Sequence, residues 1–97
     1  MPKKSVTEKA RVHTSNLGFS YWLWGQHEQA IQHYRQAISI SRETGGKRTE
    51  AINLGNLGLI YQELGQFEHA IELCGQALTI LREVGDKRSI GVQLSNL

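Results

Sequence analysis

The sequence repeats itself with a period of forty residues. Aligning residues 11–57 with residues 51–97 gives 20 identities in 47 pairs, many more than unrelated sequences share. One matched segment is Asn16-Leu17-Gly18, which aligns with Asn56-Leu57-Gly58. Repeats of about 20 to 50 residues are typical of solenoids, in which each unit contacts its neighbours and the extended surface carries the function. The repeat therefore favours an interaction module over an enzyme.

Each unit has the apolar spacing of two helices separated by a Gly-Gln pair. In the second unit, apolar residues recur mostly every three or four positions over 51–64 and 67–84, with Gly65-Gln66 between them. The same pattern in the first unit predicts helices over about 7–24 and 27–44. No strand pattern interrupts them. We therefore predict an all-α fold, an α-solenoid of antiparallel helical hairpins, with two units and a terminal half-repeat helix.

Glycines mark the expected ends of these helices. Gly85 follows the last apolar residue of the second unit, where a left-handed residue favours glycine. Arg82 falls in the preceding turn, where a cation meets the negative end of the helix dipole. Small residues inside the helices, such as Gly58 and Ala77, are expected to let the helix axes approach closely.

The chain has the length of a single domain, residues 1–97, and its last part forms only half a unit. We place the first unit at about 7–46, the second at about 47–86 and the half-unit at about 87–97. The half-unit lacks a partner helix, so its apolar residues are candidates for self-association, as is Trp22. These half-unit residues are Ile90, Val92, Leu94 and Leu97. Three interpretations stay open: a plain cap, a homodimer with or without swapped helices, and part of a longer array.

Composition excludes several classes of function. The formal charge of +2, from 11 Lys and Arg against 9 Asp and Glu, is too balanced to predict a nucleic-acid partner. No apolar run resembles a signal peptide or a membrane span, so we expect a cytoplasmic protein without a membrane partner. Cys74 is the only cysteine, and no two histidines are spaced as metal ligands on a helix. We therefore predict no metal, no cofactor and no catalytic residues.

Both units resemble the tetratricopeptide repeat (TPR), whose pattern is a small-residue-containing first helix, a Gly turn and a second helix with two alanines. The matching residues of the second unit are Leu57, Gly58, Tyr61, Gly65, Phe67, Ala70 and Ala77. Those of the first unit are Leu17, Gly18, Tyr21, Gly25, Ala30, Tyr34 and Ala37. The sequence departs from the pattern where Cys74 replaces the second-helix aromatic, and Trp24 aligns with Leu64 as an expected core residue.

The forty-residue period is similar to the long repeats of Pins-type adaptors, kinesin light chains and bacterial TPR arrays. This resemblance implies a protein–protein interaction module that binds a peptide along the concave face formed by the first helices. It implies a groove of first-helix residues that do not pack on the second helix. Carried over by alignment, they are Val12, Ser15, Asn16, Phe19, Trp22, Leu23, Ile52, Asn56, Leu59, Gln62 and Glu63.

Asn16 and Asn56 are the polar residues of this groove that recur with the repeat. A side-chain amide both donates and accepts hydrogen bonds, so it can pair with the backbone of an extended peptide whatever the peptide's side chains. The alternative is that these amides bridge neighbouring helices or bond their own helix backbone. Likewise, Phe19, Trp22 and Leu23 form either an apolar docking patch or a self-association surface. The rival to peptide binding is therefore a self-assembling structural module without a foreign ligand.

Overall fold

The computed structural model describes the backbone of residues 2–85 and the side chains of residues 13–85. Within these residues the chain forms four helices and no strand: α1 (Pro2–Leu23), α2 (His27–Thr44), α3 (Lys47–Glu63) and α4 (Phe67–Glu83). The all-α prediction is confirmed. The predicted half-unit, with Ile90, Val92, Leu94 and Leu97, lies outside the described residues.

The first helix begins earlier than the apolar pattern predicts, at Pro2 rather than near residue 7. Proline is tolerated at the start of a helix because the N–H that it lacks would have no helical partner there. The start of α2 at His27 and its end at Thr44 agree with the prediction.

The helices follow one another as a stack in which each packs on the next. α1 packs on α2 and α3 on α4, forming two hairpins, and α2 packs on α3 to join the hairpins. Glycines with positive φ stand every twenty residues at the helix ends: Gly25, Gly45, Gly65 and Gly85, with φ between 72° and 79°. Because a side chain is strained at such angles, glycine is favoured there, and the left-handed end predicted at Gly85 is confirmed.

Small residues hold the two helices of a hairpin close together. A Cβ atom added at Gly58 would lie 3.0 Å from the Sγ atom of Cys74 and 3.3 Å from the carbonyl oxygen of Ala70. In the first hairpin, a Cβ atom at Gly18 would lie 3.1 Å from the ring of Tyr34. These contacts are tighter than ordinary van der Waals distances, so the predicted role of the small residues is confirmed at Gly18 and Gly58.

Two side-chain pairs connect the units across the α2–α3 contact. The Nη2 atom of Arg35 donates a hydrogen bond of 2.6 Å to the hydroxyl of Tyr61. The Nε atom of Arg42 donates to the Oε2 atom of the buried Glu50 at 2.7 Å. A buried carboxylate without a partner would cost free energy, so Arg42 makes the burial of Glu50 tolerable.

The prediction that Trp24 belongs to the core is wrong. α1 ends at Leu23, and Trp24 lies in the following turn with 70% of its surface exposed. Its ring packs edge-on against Tyr21, with 5.8 Å between the ring centroids. Leu64, its counterpart in the second unit, is also exposed for the same reason, since α3 ends at Glu63.

We predict that Gly58→Ala and Gly75→Ala change stability in opposite directions. Overpacking against Cys74 and Ala70 costs about 1–3 kcal/mol, which exceeds the gain of about 1 kcal/mol in helix propensity. Gly75 lies in α4, and a Cβ atom there would meet nothing within 4 Å, so Gly75→Ala keeps only the propensity gain. Urea unfolding monitored by circular dichroism measures the free energy of unfolding of both variants. A Gly58→Ala variant as stable as Gly75→Ala would contradict the close approach.

We also predict a loss of stability at alkaline pH that depends on Cys74. Burial raises the pKa of the Cys74 thiol above its ordinary value of 9.0. As the pH rises past the ordinary pKa, the thiol ionises in the unfolded chain while it stays protonated in the folded one. Ionisation therefore favours the unfolded chain increasingly as pH rises. Free energies of unfolding from about pH 8 to pH 10 should therefore fall more in the parent protein than in Cys74→Ala. Equal slopes would contradict this assignment.

Candidate functional site

A groove with a cavity volume of about 330 Å³ lies between the first helices of the two units. One wall comes from α1 and the other from α3, where positions 49, 52, 53 and 56 fall on one face because they are three and four residues apart. Tyr34 of α2 forms part of the floor and is buried. The lining residues are Ser15, Asn16, Phe19, Tyr34, Thr49, Ile52, Asn53 and Asn56.

Asn53 ties the two walls together at the base of this groove. Its side chain is only 3% exposed. Its Oδ1 atom accepts a hydrogen bond of 3.1 Å from the hydroxyl of Ser15, and its Nδ2 atom donates one of 3.1 Å to the carbonyl of Thr49. Both ends of the buried amide are therefore paired, and α1 is linked to α3.

The sequence interpretation missed Asn53 because Asn53 does not recur with the repeat. Its counterpart in the first unit is His13. The signal that could have found it is its position one helical turn before Asn56, on the same face of α3. The helix-bridging role considered for the recurring asparagines is thus filled by Asn53.

Asn16 and Asn56 lie on opposite walls with their amides open to the groove. Asn16 is exposed and Asn56 is half-buried. No hydrogen bond joins either side chain to the rest of the described chain. Within the described residues, each amide therefore keeps two donors and an acceptor for a ligand or for water.

The apolar part of the groove comes from Phe19 on one wall and Ile52 on the other, both of them exposed. Exposed aromatic and aliphatic side chains inside a concave surface are suited to receive apolar side chains of a partner. None of the described lining residues carries a charge at neutral pH. The groove offers amide hydrogen bonding and apolar contact.

Trp22 stands at one end of the groove and is held in place by neighbouring residues. Its ring centroid lies 5.7 Å from that of Phe19, and the side chain packs partly against the core. Its Nε1 atom donates to the Oε1 atom of Glu63 at 2.5 Å, joining the ends of α1 and α3. The same Oε1 atom is 3.3 Å from the Nε2 atom of His27. Trp22 and Glu63 are therefore brought together beside the groove.

The remaining predicted groove residues are placed less centrally. Leu59 is half-buried and Gln62 is exposed, and neither is among the described lining residues. Leu23 is exposed at the end of α1. The side chain of Val12 lies outside the described part of the chain. Of the eleven predicted residues, the structure gathers five in the groove wall: Ser15, Asn16, Phe19, Ile52 and Asn56.

The other titratable residues of the described chain form no metal cluster. No group of three or more His, Cys, Asp or Glu side chains comes together within the described residues. His33 stacks on Tyr21 and His69 stacks on Tyr61, with ring centroids 5.2 and 3.9 Å apart. These histidines serve as ring partners on the second helix of each unit. No helix in the described part of the chain is both long and apolar enough to span a bilayer.

Comparison with known families agrees with this architecture of stacked hairpins. A family model described as tetratricopeptide repeat matches residues 8–83. The chain belongs to the tetratricopeptide-repeat family. TPR units generally mediate protein–protein interactions, and the family is a non-catalytic repeat module. A search of the curated proteins finds no match to this chain.

We predict that Asn53→Ala destabilises this TPR protein by about 1 kcal/mol more than Asn56→Ala does. Removing a buried, paired amide leaves partners unsatisfied, whereas removing the half-buried amide of Asn56, which has no partner within the described residues, changes little. Both residues lie in α3 and lose the same side chain, so their helix-propensity effects cancel. Urea unfolding of the two variants measures the difference. Equal stabilities would show that the Ser15–Asn53 link contributes nothing.

Proposed function

We propose that this protein binds an extended segment of a protein partner in the groove between α1 and α3. The observation that carries the proposal is that the amides of Asn16 and Asn56, on opposite walls of that groove, have no hydrogen-bond partner within the described residues. An extended peptide presents N–H and C=O groups along both of its edges. An amide on each wall can pair with those groups whatever the sequence of the peptide.

Phe19 and Ile52 supply the selectivity of the proposed site. Both are exposed in the groove, so a partner segment with apolar side chains would bury them. Because the described lining residues are uncharged, we expect binding to depend only weakly on salt. A groove of this size predicts micromolar affinity, about −8 kcal/mol.

The resemblance to Pins-type adaptors and kinesin light chains supports the same binding surface, since such repeats bind peptides along their first helices. We place the protein in the cytoplasm, as a scaffold or adaptor without catalytic activity and without a nucleic-acid or membrane partner. The rival function is self-assembly through the half-unit. Its residues lie outside those that the structure describes.

A displayed library of random peptides, selected on the immobilised protein, tests the proposal without a known partner. We predict that Asn56→Ala lowers the affinity for the selected peptides at least about tenfold, as measured by isothermal titration calorimetry, because one wall of the groove loses its amide. Gln36→Ala, an exposed substitution on α2, serves as the control and should leave affinity unchanged. If the selected peptides bind Asn16→Ala and Asn56→Ala as tightly as they bind the parent protein, the assignment of the groove is refuted.

Trp22 gives a second readout of the same binding. Its indole lies beside Phe19 at the groove end, so a bound peptide should change its fluorescence. The exposed Trp24 also contributes to the signal, and therefore Trp24→Phe is the form in which to measure it. Binding that leaves the emission of Trp22 unchanged would place the peptide away from this end of the groove.

A further inference from the structure

The groove between α1 and α3 continues past its lining residues to a glutamate. Glu63 lies seven residues after Asn56, so it falls on the same face of α3, two turns further along. On the opposite wall, Trp22 lies one turn after Phe19. The hydrogen bond of 2.5 Å from the Nε1 atom of Trp22 to the Oε1 atom of Glu63 therefore holds a carboxylate at this end of the groove.

One oxygen of this carboxylate is open to a ligand. The Oε1 atom accepts the indole hydrogen bond and lies 3.3 Å from the Nε2 atom of His27, whereas the Oε2 atom has no partner within the described residues. The side chain of Glu63 is exposed. In the sequence, no lysine or arginine occurs between Arg11 and Arg35 or between Arg48 and Arg82. Neither wall therefore supplies a lysine or arginine near this end of the groove.

The ends of the first helices add negative potential at the same place. α1 ends at Leu23 and α3 ends at Glu63, and neither has a basic residue in its last turn. The second helices differ, since α2 and α4 have Arg42 and Arg82 in their last turns. The C-terminus of a helix carries about half a negative charge, which a nearby cation stabilises. Two such ends without a cation meet at Trp22 and Glu63.

The positive ends of the second helices are offset by their own acidic residues. α2 begins at His27 and α4 at Phe67, on the side of the stack where α1 and α3 end. Their first turns contain Glu28 and Glu68, both exposed. An acidic residue in the first turn counters the positive end of the helix dipole. The negative potential around Glu63 therefore extends over neighbouring helix ends.

We propose that the groove end formed by Trp22 and Glu63 binds a lysine or arginine side chain of the partner segment. The inference rests on the proposed peptide function and adds the charge of one bound residue. The Oε2 atom of Glu63 pairs with the cation, and the indole of Trp22 packs against the aliphatic stem. One exposed carboxylate adds little salt dependence.

The geometry also gives the position of the basic residue in the segment. Seven residues of helix between Asn56 and Glu63 span about 10 Å, which corresponds to about three residues of an extended peptide. The basic residue should therefore lie about three positions from the part of the segment that the two amides hold.

Peptides selected from the random library test the proposal. Those whose affinity depends on Asn16 and Asn56 should be enriched in lysine or arginine at one position. Replacing an arginine at that position by citrulline keeps its shape and removes its charge. We expect this change to lower affinity for the parent protein about two- to fivefold, the range of an exposed ion pair. Isothermal titration calorimetry measures the affinities.

Glu63→Gln is the matching change on the protein. Its amide oxygen can still accept the hydrogen bond from Trp22, while the charge is lost. The effect of citrulline should disappear in Glu63→Gln and persist in Glu72→Gln, which loses the same charge at an exposed position of α4. Because the comparison is a double-mutant cycle, it isolates the pair from effects of either change alone.

The outcomes separate this inference from the peptide groove itself. Peptides that depend on both asparagines but have no preferred basic residue would overturn the inference and leave the groove assignment intact. A citrulline effect that persists in Glu63→Gln, or that is lost equally in Glu72→Gln, would have the same meaning. If no selected peptide depends on Asn16 or Asn56, the proposed groove is wrong and this inference is wrong with it.

Discussion

The close approach of the two helices within each hairpin is the constraint on which the rest of the structure depends. At Gly58 the backbone of α3 comes so near to α4 that even a methyl group would press on Cys74 and Ala70. Gly18 allows the same approach to Tyr34 in the first hairpin. Because α2 also packs on α3, these distances set how far apart the two first helices stand. The width of the groove is thus a consequence of glycines that do not line it.

The repeat and its periodicity were sufficient to predict the fold. Small residues at equivalent positions and glycines at helix ends constrain the backbone locally, so the start and end of α2 could be predicted from the pattern. Trp24 could not be placed this way, since an apolar residue at a helix end lies inside or outside depending on where the helix stops. The hydrogen bond between Arg35 and Tyr61 could not be predicted from the sequence either, because it joins different units and has no counterpart in the alignment.

The groove shows why repeated residues and structural residues must be distinguished. Alignment selected Asn16 and Asn56 because they recur, and their amides are the ones without partners in the described chain. Asn53 does not recur, yet it is buried and fully bonded between α1 and α3. A buried amide needs two specific neighbours, and that requirement depends on the neighbouring unit rather than on the repeat itself. The two kinds of asparagine therefore differ in burial and bonding as well as in whether they recur.

The two hydrogen bonds across the α2–α3 contact also distinguish the first unit from the second. Arg35 meets Tyr61 there, whereas the position equivalent to Arg35 in the second unit is Gly75. Glu50, the partner of Arg42, has Ile90 as its counterpart forty residues later. A duplicated second unit placed after α4 would keep a partner for its copy of Glu50, because Arg82 holds the position of Arg42, but its copy of Tyr61 would meet Gly75 instead of an arginine. The two units, although similar in a large share of their residues, are therefore not interchangeable modules, and a solenoid lengthened by gene duplication would have one of the two hydrogen bonds at the added junction and lack the other.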